Sequence, residues 1–453
     1  MRRLLKEAWT LAIETLSWME MQKLSERLAL TRTVKQLGIT NADSIRFAYR
    51  LICETARRRN FIDKFINAVI TPRAIGEFDL GVQAFLRLYV YQTRIEKNWS
   101  KIDVNEAENI AKLARAILGW RTLLVVEPVL GFLLTQKPAE IFGGVSDGER
   151  IGLLTFHPTW FVKYCFRLLG RSEAVTFLEA SMHSPPTYIR INTLKASEKE
   201  ILGIVEEEIK LAKVESVEYA YRVLDAKQPL PRTKSFREGF FYIQDKASCF
   251  AAQTADPKPG MVILDVCAAP GAKTTHLAQL MQNRGTIYSI DYSQRRMNVW
   301  KSEVAHMGVK IAIPIIADVC NPLPLTIEAD VVVLDPPCTS TGAFGRLPSA
   351  KWRLTPRSID KMAEIQWQMI NNSAKNVKSG GTLTYSTCSI TAEENEMLIE
   401  RFLKWHPEFS LTEITPKIGL SGLRGLESCQ RLYPHTHQCN GFFIAKLLRK
   451  ESS

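Results

Sequence analysis

Two cysteines and one aspartate have the types and spacing for covalent chemistry. Asp335-Pro-Pro-Cys338 puts a carboxyl group and a thiol on one rigid turn, and Cys388 closely follows the predicted strand Thr382–Ser386. A thiol attacks only as its thiolate, so the site needs a cationic or polar neighbour, and Lys273 is the candidate source of that field. Isolated cysteines are ordinarily inert small hydrophobes, and Cys53, Cys165, Cys249, Cys320 and Cys429 are read that way.

A second group of residues is suited to holding a ligand. Cys267-Ala268-Ala269-Pro270-Gly271-Ala272-Lys273 is a run of small residues between a predicted strand and a predicted helix. Such a loop lets a ligand approach the backbone and the helix N-terminus closely. It is neither a G-x-G-x-x-G fingerprint nor a P-loop, which argues against a dinucleotide or ATP. Asp291 ends the next strand, where a carboxylate can take ribose hydroxyls, and Asp318 is placed to hydrogen-bond an adenine amino group. A nucleoside without phosphates fits this set, and S-adenosylmethionine is one.

These residues must be positioned by regular elements. From Met261 the chain alternates strands (Met261–Val266, Thr286–Asp291, Ile311–Ala317, Asp330–Leu334, Thr382–Ser386) with helices (Lys273–Met281, Ser293–His306, Ser358–Lys378). That alternation predicts an α/β fold, a doubly wound parallel sheet of Rossmann-like type. Every candidate above falls at the carboxyl end of one of these strands, the rim where open α/β sheets bind ligands. A last helix, Ala392–Trp405, precedes β-rich segments at Phe409–Ile414 and Gly441–Leu447.

Upstream, apolar residues recur at helical spacing through residues 1–170, as in Leu4, Ala8, Leu11, Ala12 and Leu16. Asn41, Asp63 and Asp103 are candidate helix starts and Thr71-Pro72 a stop. Ser184-Pro185-Pro186 marks a boundary, after which Thr187–Asn192 alternates as a strand. The expected organisation is an all-helical domain over 1–170, a small α+β segment over 184–255 and the α/β domain over 256–453.

Composition narrows the setting. The 453 residues are 46% apolar with a formal net charge of +12. Such a chain has ample core, and global disorder is excluded. Two-thirds of the positive excess lies in residues 1–170, which favours a polyanionic partner there. Arg57-Arg58-Arg59 is the densest basic point and is expected on one solvated helix. No apolar run approaches the ~20 residues of a membrane span. Met1-Arg2-Arg3-Leu4-Leu5 could open a leader, but Lys6, Glu7 and Glu14 interrupt any apolar stretch. An odd, scattered set of nine cysteines is not a disulfide framework. The spacing of His435, His437 and Cys439 matches no zinc pattern, so no metal is expected.

Taken in order, Ile189-Arg-Ile-Asn192, Tyr242-Ile-Gln-Asp-Lys-Ala-Ser248, Asp265–Lys273, Asp335–Cys338, Ser386-Thr-Cys388 and Gly441-Phe-Phe443 resemble the Sun-type family of RNA cytosine-5 methyltransferases. The resemblance covers about residues 184–449 and departs at Ala272, where the family usually has a second glycine. It implies S-adenosylmethionine as methyl donor and RNA as partner, with Cys388 the nucleophile that adds to C6 of an extruded cytosine. Cys338 would assist loss of the C5 proton and release of the enzyme. Asp335 would hold the N3/N4 edge of the base, with Lys273 nearby. The implied cofactor set is the 267–273 loop together with Asp291, Arg296, Asp318 and Asp335. Residues 1–170, ending in His157-Pro-Thr-Trp160, are similar to the NusB-like extension of the bacterial small-subunit ribosomal RNA member. That similarity tilts the expected substrate to ribosomal over transfer RNA, for a cytoplasmic monomer with no membrane partner. The small α+β segment would be RRM-like. Two other readings stand beside this one. One is an N-methyltransferase, in which an aromatic residue is expected at position 338. The other is a non-catalytic RNA-binding assembly factor, against which the intact thiols and acids count. His276 and His306 are read as packing or surface residues within helices, and Trp352, Trp367 and Trp405 as helix-packing aromatics rather than platforms on which RNA bases stack.

Overall fold

Parallel strands cannot be joined by tight hairpins, so the strand–helix alternation dictates crossovers and a layered sheet. The computed structural model describes residues 2–99, 101–323 and 327–451, so Met1 of the leader-like start lies outside the described residues. The chain forms two units, Met1–Met182 with Arg346–Leu354, and His183–Gly345 with Thr355–Ser453.

The first unit is helical. Its opening helix, Arg2–Gln22, buries Ala8, Trp9, Leu11, Ala12 and Leu16, and Leu51, Ile52, Phe65 and Phe85 complete the same core. Asn41 caps Ala42–Arg57 by accepting the Asp43 and Ser44 amides, and Asp103 caps Val104–Leu118 through the Glu106 amide. Each such cap is worth about 1 kcal/mol. Asp63 starts no helix. It lies inside Arg59–Ile70, where its carboxylate accepts from Arg87 Nε at 2.7 Å and Nη2 at 3.0 Å. The three consecutive arginines also depart from expectation, because one helix ends at Arg57 and the next begins at Arg59. They are not a solvated face: Arg57 and Arg58 pair with Glu54, and Arg59 pairs with Glu20.

Residues 346–354 also belong to this helical unit, although their sequence neighbours belong to the other. The Ser349 amide donates to the buried Glu26 carboxylate at 2.6 Å. Trp352 Nε1 donates to the Ala56 carbonyl at 2.5 Å, and Arg353 donates to the Leu24 carbonyl at 3.2 Å.

In the second unit a small antiparallel sheet comes first: β1 (Tyr188–Ile191), β2 (Ile209–Lys213), β3 (Ala220–Ala226) and β4 (Phe241–Ile243), in the order β2-β3-β1-β4. The main sheet follows with β5 (Val262–Val266), β6 (Thr286–Asp291), β7 (Ala312–Ile316), β8 (Ala329–Leu334) and β9 (Val377–Thr387). Then come β10 (Phe409–Leu411), β11 (Leu420–Ser421), β12 (Gln430–Leu432) and β13 (Phe442–Arg449). Strands β7-β6-β5-β8-β9 are mutually parallel, and β13 continues the sheet antiparallel to β9, followed by β12 and β11, with β10 paired to β13. The α/β Rossmann-like architecture is therefore as the alternation implied.

Val331-Val332-Val333-Leu334 is apolar without interruption because helices cover both faces of this sheet. One boundary differs from expectation. The helix before β9 ends at Ala374, and β9 starts at Val377, because Gly380 at φ +73° and Gly381 against the Ala329 and Asp330 carbonyls absorb a register shift. The parallel order brings the carboxyl ends of β5, β6, β7, β8 and β9 to one rim.

Candidate active site

The rim is built from β5 outward. Cys267 leaves the strand at φ +64°, a left-handed turn that costs a non-glycine residue strain, and the Ala268 amide reaches the Ile290 carbonyl at 2.9 Å. Gly271 then takes φ +119° as the N-cap of Ala272–Leu280. No side chain caps that helix, so its first amides and its dipole remain open to an anionic group at the rim. Ala272 has ordinary helical backbone, so its methyl group meets no conformational restriction.

Asp291 is buried at the end of β6. It accepts the Ala269 amide at 3.3 Å and the Ser293 amide at 3.1 Å, and pairs with Arg296 at 3.0 Å. Arg296 also donates to the Ala269 carbonyl, so it braces loop and carboxylate together. Asp318 is exposed beyond β7, and its carboxylate accepts from the Cys320 amide at 3.0 Å. Burial, with Asp335 and Asp291 alongside, pushes the Cys267 thiol up, so this residue offers the rim backbone rather than a nucleophile. An uncapped helix N-terminus for a carboxylate and an acceptor-only acid for hydroxyls match the polar groups of S-adenosylmethionine.

The reacting groups sit on the next two strand ends. Lys273 Nζ lies 2.5 Å from Asp335 Oδ2 and 5.6 Å above the Phe442 ring, and Ser386 Oγ donates to Asp335 Oδ1 at 3.1 Å. Cys338 Sγ and Cys388 Sγ are 3.3 Å apart, with Ser340 Oγ 3.4 Å from Cys388 Sγ. Neither is in a disulfide. The turn after Cys338 is fixed where the Gly342 amide donates to the Cys388 carbonyl at 3.0 Å. A Cβ at Gly342 would fall 2.2 Å from the Gly441 carbonyl oxygen, so only glycine lets these chains meet.

The two thiols are unequal. The hydrogen bond between the two sulfurs holds the Cys388 thiol below its ordinary value, while that same contact, followed by burial, drives Cys338 well above its own. Of the pair, Cys388 is therefore the more easily ionised.

The structure brings Lys273, Asp335, Cys338, Cys388, the 267–272 loop, Asp291 and Arg296 to one end of the sheet. Sequence reasoning missed Ser248, Ser340 and Ser386, although the first and last lie within the family motifs; Lys273 Nζ is 3.5 Å from Ser248 Oγ. Trp405, expected to pack, is 69% exposed, because its helix turns Leu398, Ile399 and Phe402 to the core and Trp405 away from it. Trp367 stacks beneath Arg401 at 3.9 Å.

Residues 252–448 match the family model described as 16S rRNA methyltransferase RsmB/F. "Probable ribosomal RNA small subunit methyltransferase B" of Synechocystis sp. is 29% identical over 442 residues, spanning 93% of this chain and 94% of that protein. The tRNA (cytosine(72)-C(5))-methyltransferase of Pyrococcus horikoshii is 38% identical over 218 residues, 48% of this chain and 54% of that protein. Among solved structures, PH0851 superposes with a TM-score of 0.84 at 30% identity, covering 99% of both chains. The chain belongs to the Sun-type RsmB/F family of S-adenosylmethionine-dependent RNA cytosine-5 methyltransferases.

Proposed function

We propose that this protein methylates C5 of a cytosine in ribosomal RNA through a covalent adduct on Cys388. The 3.3 Å contact between two inequivalent thiols beside the Lys273–Asp335 pair carries this reading. Carbon 5 of cytosine is a weak nucleophile until something adds at C6. The Cys388 thiolate forms the C6–S bond, and the π electrons of C5=C6 shift towards C5 and the ring nitrogen N3, which takes up a proton from solvent. Bound S-adenosylmethionine supplies an electrophilic methyl group on a sulfonium.

Asp335 accepts from the cytosine amino group while Lys273 holds it in place. After methyl transfer, the C5 proton must leave before the enzyme can. Once Cys388 is a neutral thioether, Cys338 no longer faces a thiolate and gives up its own proton to solvent more readily. It can then accept the C5 proton, after which C5=C6 re-forms and the C6–S bond breaks to return the Cys388 thiolate. The N3 proton leaves to solvent.

The cofactor set of this proposal is the 267–273 loop, Asp291, Arg296, Asp318 and Asp335, with Arg296 acting by bracing Asp291. The helical unit serves as the NusB-like RNA-binding part, and the small antiparallel sheet as the RRM-like part. The ribosomal reading is supported by the Synechocystis relative, which matches almost the whole chain, helical unit included, whereas the transfer RNA relative matches 48% of it. No helix among the described residues is long and apolar enough to cross a membrane, in keeping with the cytoplasmic setting we propose for a monomer. Bisulfite sequencing of ribosomal and transfer RNA from cells lacking the protein, complemented by wild type or Cys388→Ala, tests the reading. One ribosomal cytosine should lose its methyl group and regain it only with wild type. Loss at a transfer RNA site would overturn the substrate assignment, and restoration by Cys388→Ala would overturn the nucleophile.

A further inference from the structure

Both cysteine segments converge on one carboxylate that is not part of the rim. Glu394 is fully buried. Its Oε1 accepts the Thr339 amide at 2.8 Å and Gln366 Nε2 at 2.9 Å. Its Oε2 accepts the Ser389 and Thr391 hydroxyls, each at 2.6 Å, and the Thr339 hydroxyl. Thr339 directly follows Cys338, and Ser389 directly follows Cys388. Gln366 extends the same clamp to the Pro337 carbonyl at 2.9 Å, and Tyr385 donates both to Gln366 and to the Glu394 carbonyl.

Among the described residues no lysine or arginine pairs with Glu394. Five donors therefore hold a buried charge without a counter-ion, and in so dry a setting that charge acts strongly on its neighbours. Replacing it by a neutral group of the same shape would conserve the clamp at lower desolvation cost, so the charge itself has a use.

We propose that Glu394 is the positioning residue that divides the work between the two cysteines: it clamps the residues after each to fix the sulfur–sulfur contact, and it sets its buried charge beside the Cys338 segment. The two halves of the site then oppose each other. The Cys388 contact and burial raise Cys338 first and the Glu394 charge adds to them, while the Cys338 contact lowers Cys388 first and the Lys273 charge adds to it. The inference rests on the two-cysteine reading but is tested without RNA or methyl transfer, so the two fail separately.

The test is iodoacetamide labelling of the free full-length protein across neutral to alkaline pH, with each cysteine followed by peptide mass spectrometry. In wild type, Cys388 should react at lower pH than Cys338. Glu394→Gln is isosteric, and the hydroxyls around it accept as well as donate, so S-adenosylmethionine binding and melting should be retained. In that variant the gap in rate between the two cysteines should narrow about tenfold through faster labelling of Cys338. Glu394→Asp keeps the charge and should keep the order of labelling. An unchanged gap in folded Glu394→Gln overturns the proposal, as does equal scrambling in both variants, which would mean that only packing matters. If Glu394→Gln does not fold, Thr339→Val removes one contact on the Cys338 side. It should narrow the gap by loosening that segment, and an unchanged gap there also overturns the proposal.

Discussion

Removing the Cys338 sulfur separates attack from release. In Cys338→Ala the Cys388 thiolate loses a hydrogen-bond donor 3.3 Å away. A hydrogen bond to a charged group contributes about 1.5–3 kcal/mol, so at neutral pH the thiolate fraction of Cys388 should fall by roughly ten- to hundredfold. Attack slows by that factor, but release has lost its proton acceptor altogether. A covalent protein–RNA species should accumulate slowly to near one per enzyme. The sign of the pH effect follows from the same contact. Without its donor, Cys388 ionises at higher pH, so adduct formation should keep rising through an alkaline range where wild-type attack has levelled off. The assay is a time course of labelled substrate RNA with S-adenosylmethionine, quenched in detergent and resolved on a denaturing gel at several pH values. No adduct at any pH, or an adduct that survives a second substitution Cys388→Ala, would refute the assignment. A pH profile identical to wild-type attack would refute the role given to the sulfur–sulfur contact.

Three further outcomes follow from other parts of the structure. Arg431 and Glu396 are buried together and share two ionic hydrogen bonds, the Nε one at 2.6 Å, while Arg431 also holds the Ile390 carbonyl at 2.9 Å. Arg431→Met alone should cost about 3–5 kcal/mol in urea unfolding, and less when combined with Glu396→Leu; additive losses would contradict this. In the helical unit, neutralising the exposed Lys35, Arg73, Lys101, Arg121 and Lys137 should weaken RNA binding and flatten its salt dependence by about 0.7–0.9 for each phosphate no longer neutralised. Arg57→Ala should instead lower the melting temperature, since Arg57 is buried against Glu54; an unchanged salt slope in the first set would mean that these residues meet no phosphate. His276 is fully buried, and burial, then Arg190 and Lys273, holds it neutral well below its ordinary value. Only the unfolded chain takes up that proton, so stability is lost as pH falls through about 6.5, and His276→Gln should flatten this part of the melting profile. Parallel profiles for the two proteins would rule the histidine out.

Much of the α/β sheet was legible because its inner strands β5 and β8 are buried on both faces and written as apolar runs with polar residues at their ends. Cys338 and Cys388 could be picked out by that position alone. Most of the details that escaped depend on which side chains the fold sets beside one another. Asp63 has the chemistry of a helix cap, but Arg87 claims it within a helix. The three arginines look like surface charge until Glu54 and Glu20 are seen beside them. Glu394 lies in the run Glu393-Glu394-Asn395-Glu396 near the start of the last predicted helix; only the fold shows that three of its four members are fully buried. Propensity and periodicity do not report which side chains meet, whereas these roles are set by particular pairings, some of them tens of residues apart.

The return of residues 346–354 to the helical unit bears on how the protein is made. A chain emerging from the ribosome has all of residues 1–182 long before it has Ser349 and Trp352. At 5–20 residues per second, roughly ten to thirty seconds of synthesis separate the two. For that interval Glu26 lacks its amide donor, and the surface formed by Leu16, Met19, Leu24 and Ala56 stays open where Trp352 will sit. The amino-terminal part therefore cannot finish folding as it is born. Its last piece arrives only after β5, β6, β7 and β8 have been synthesised, and a fragment ending at residue 182 should carry a sticky apolar opening that the full chain closes with its own later segment.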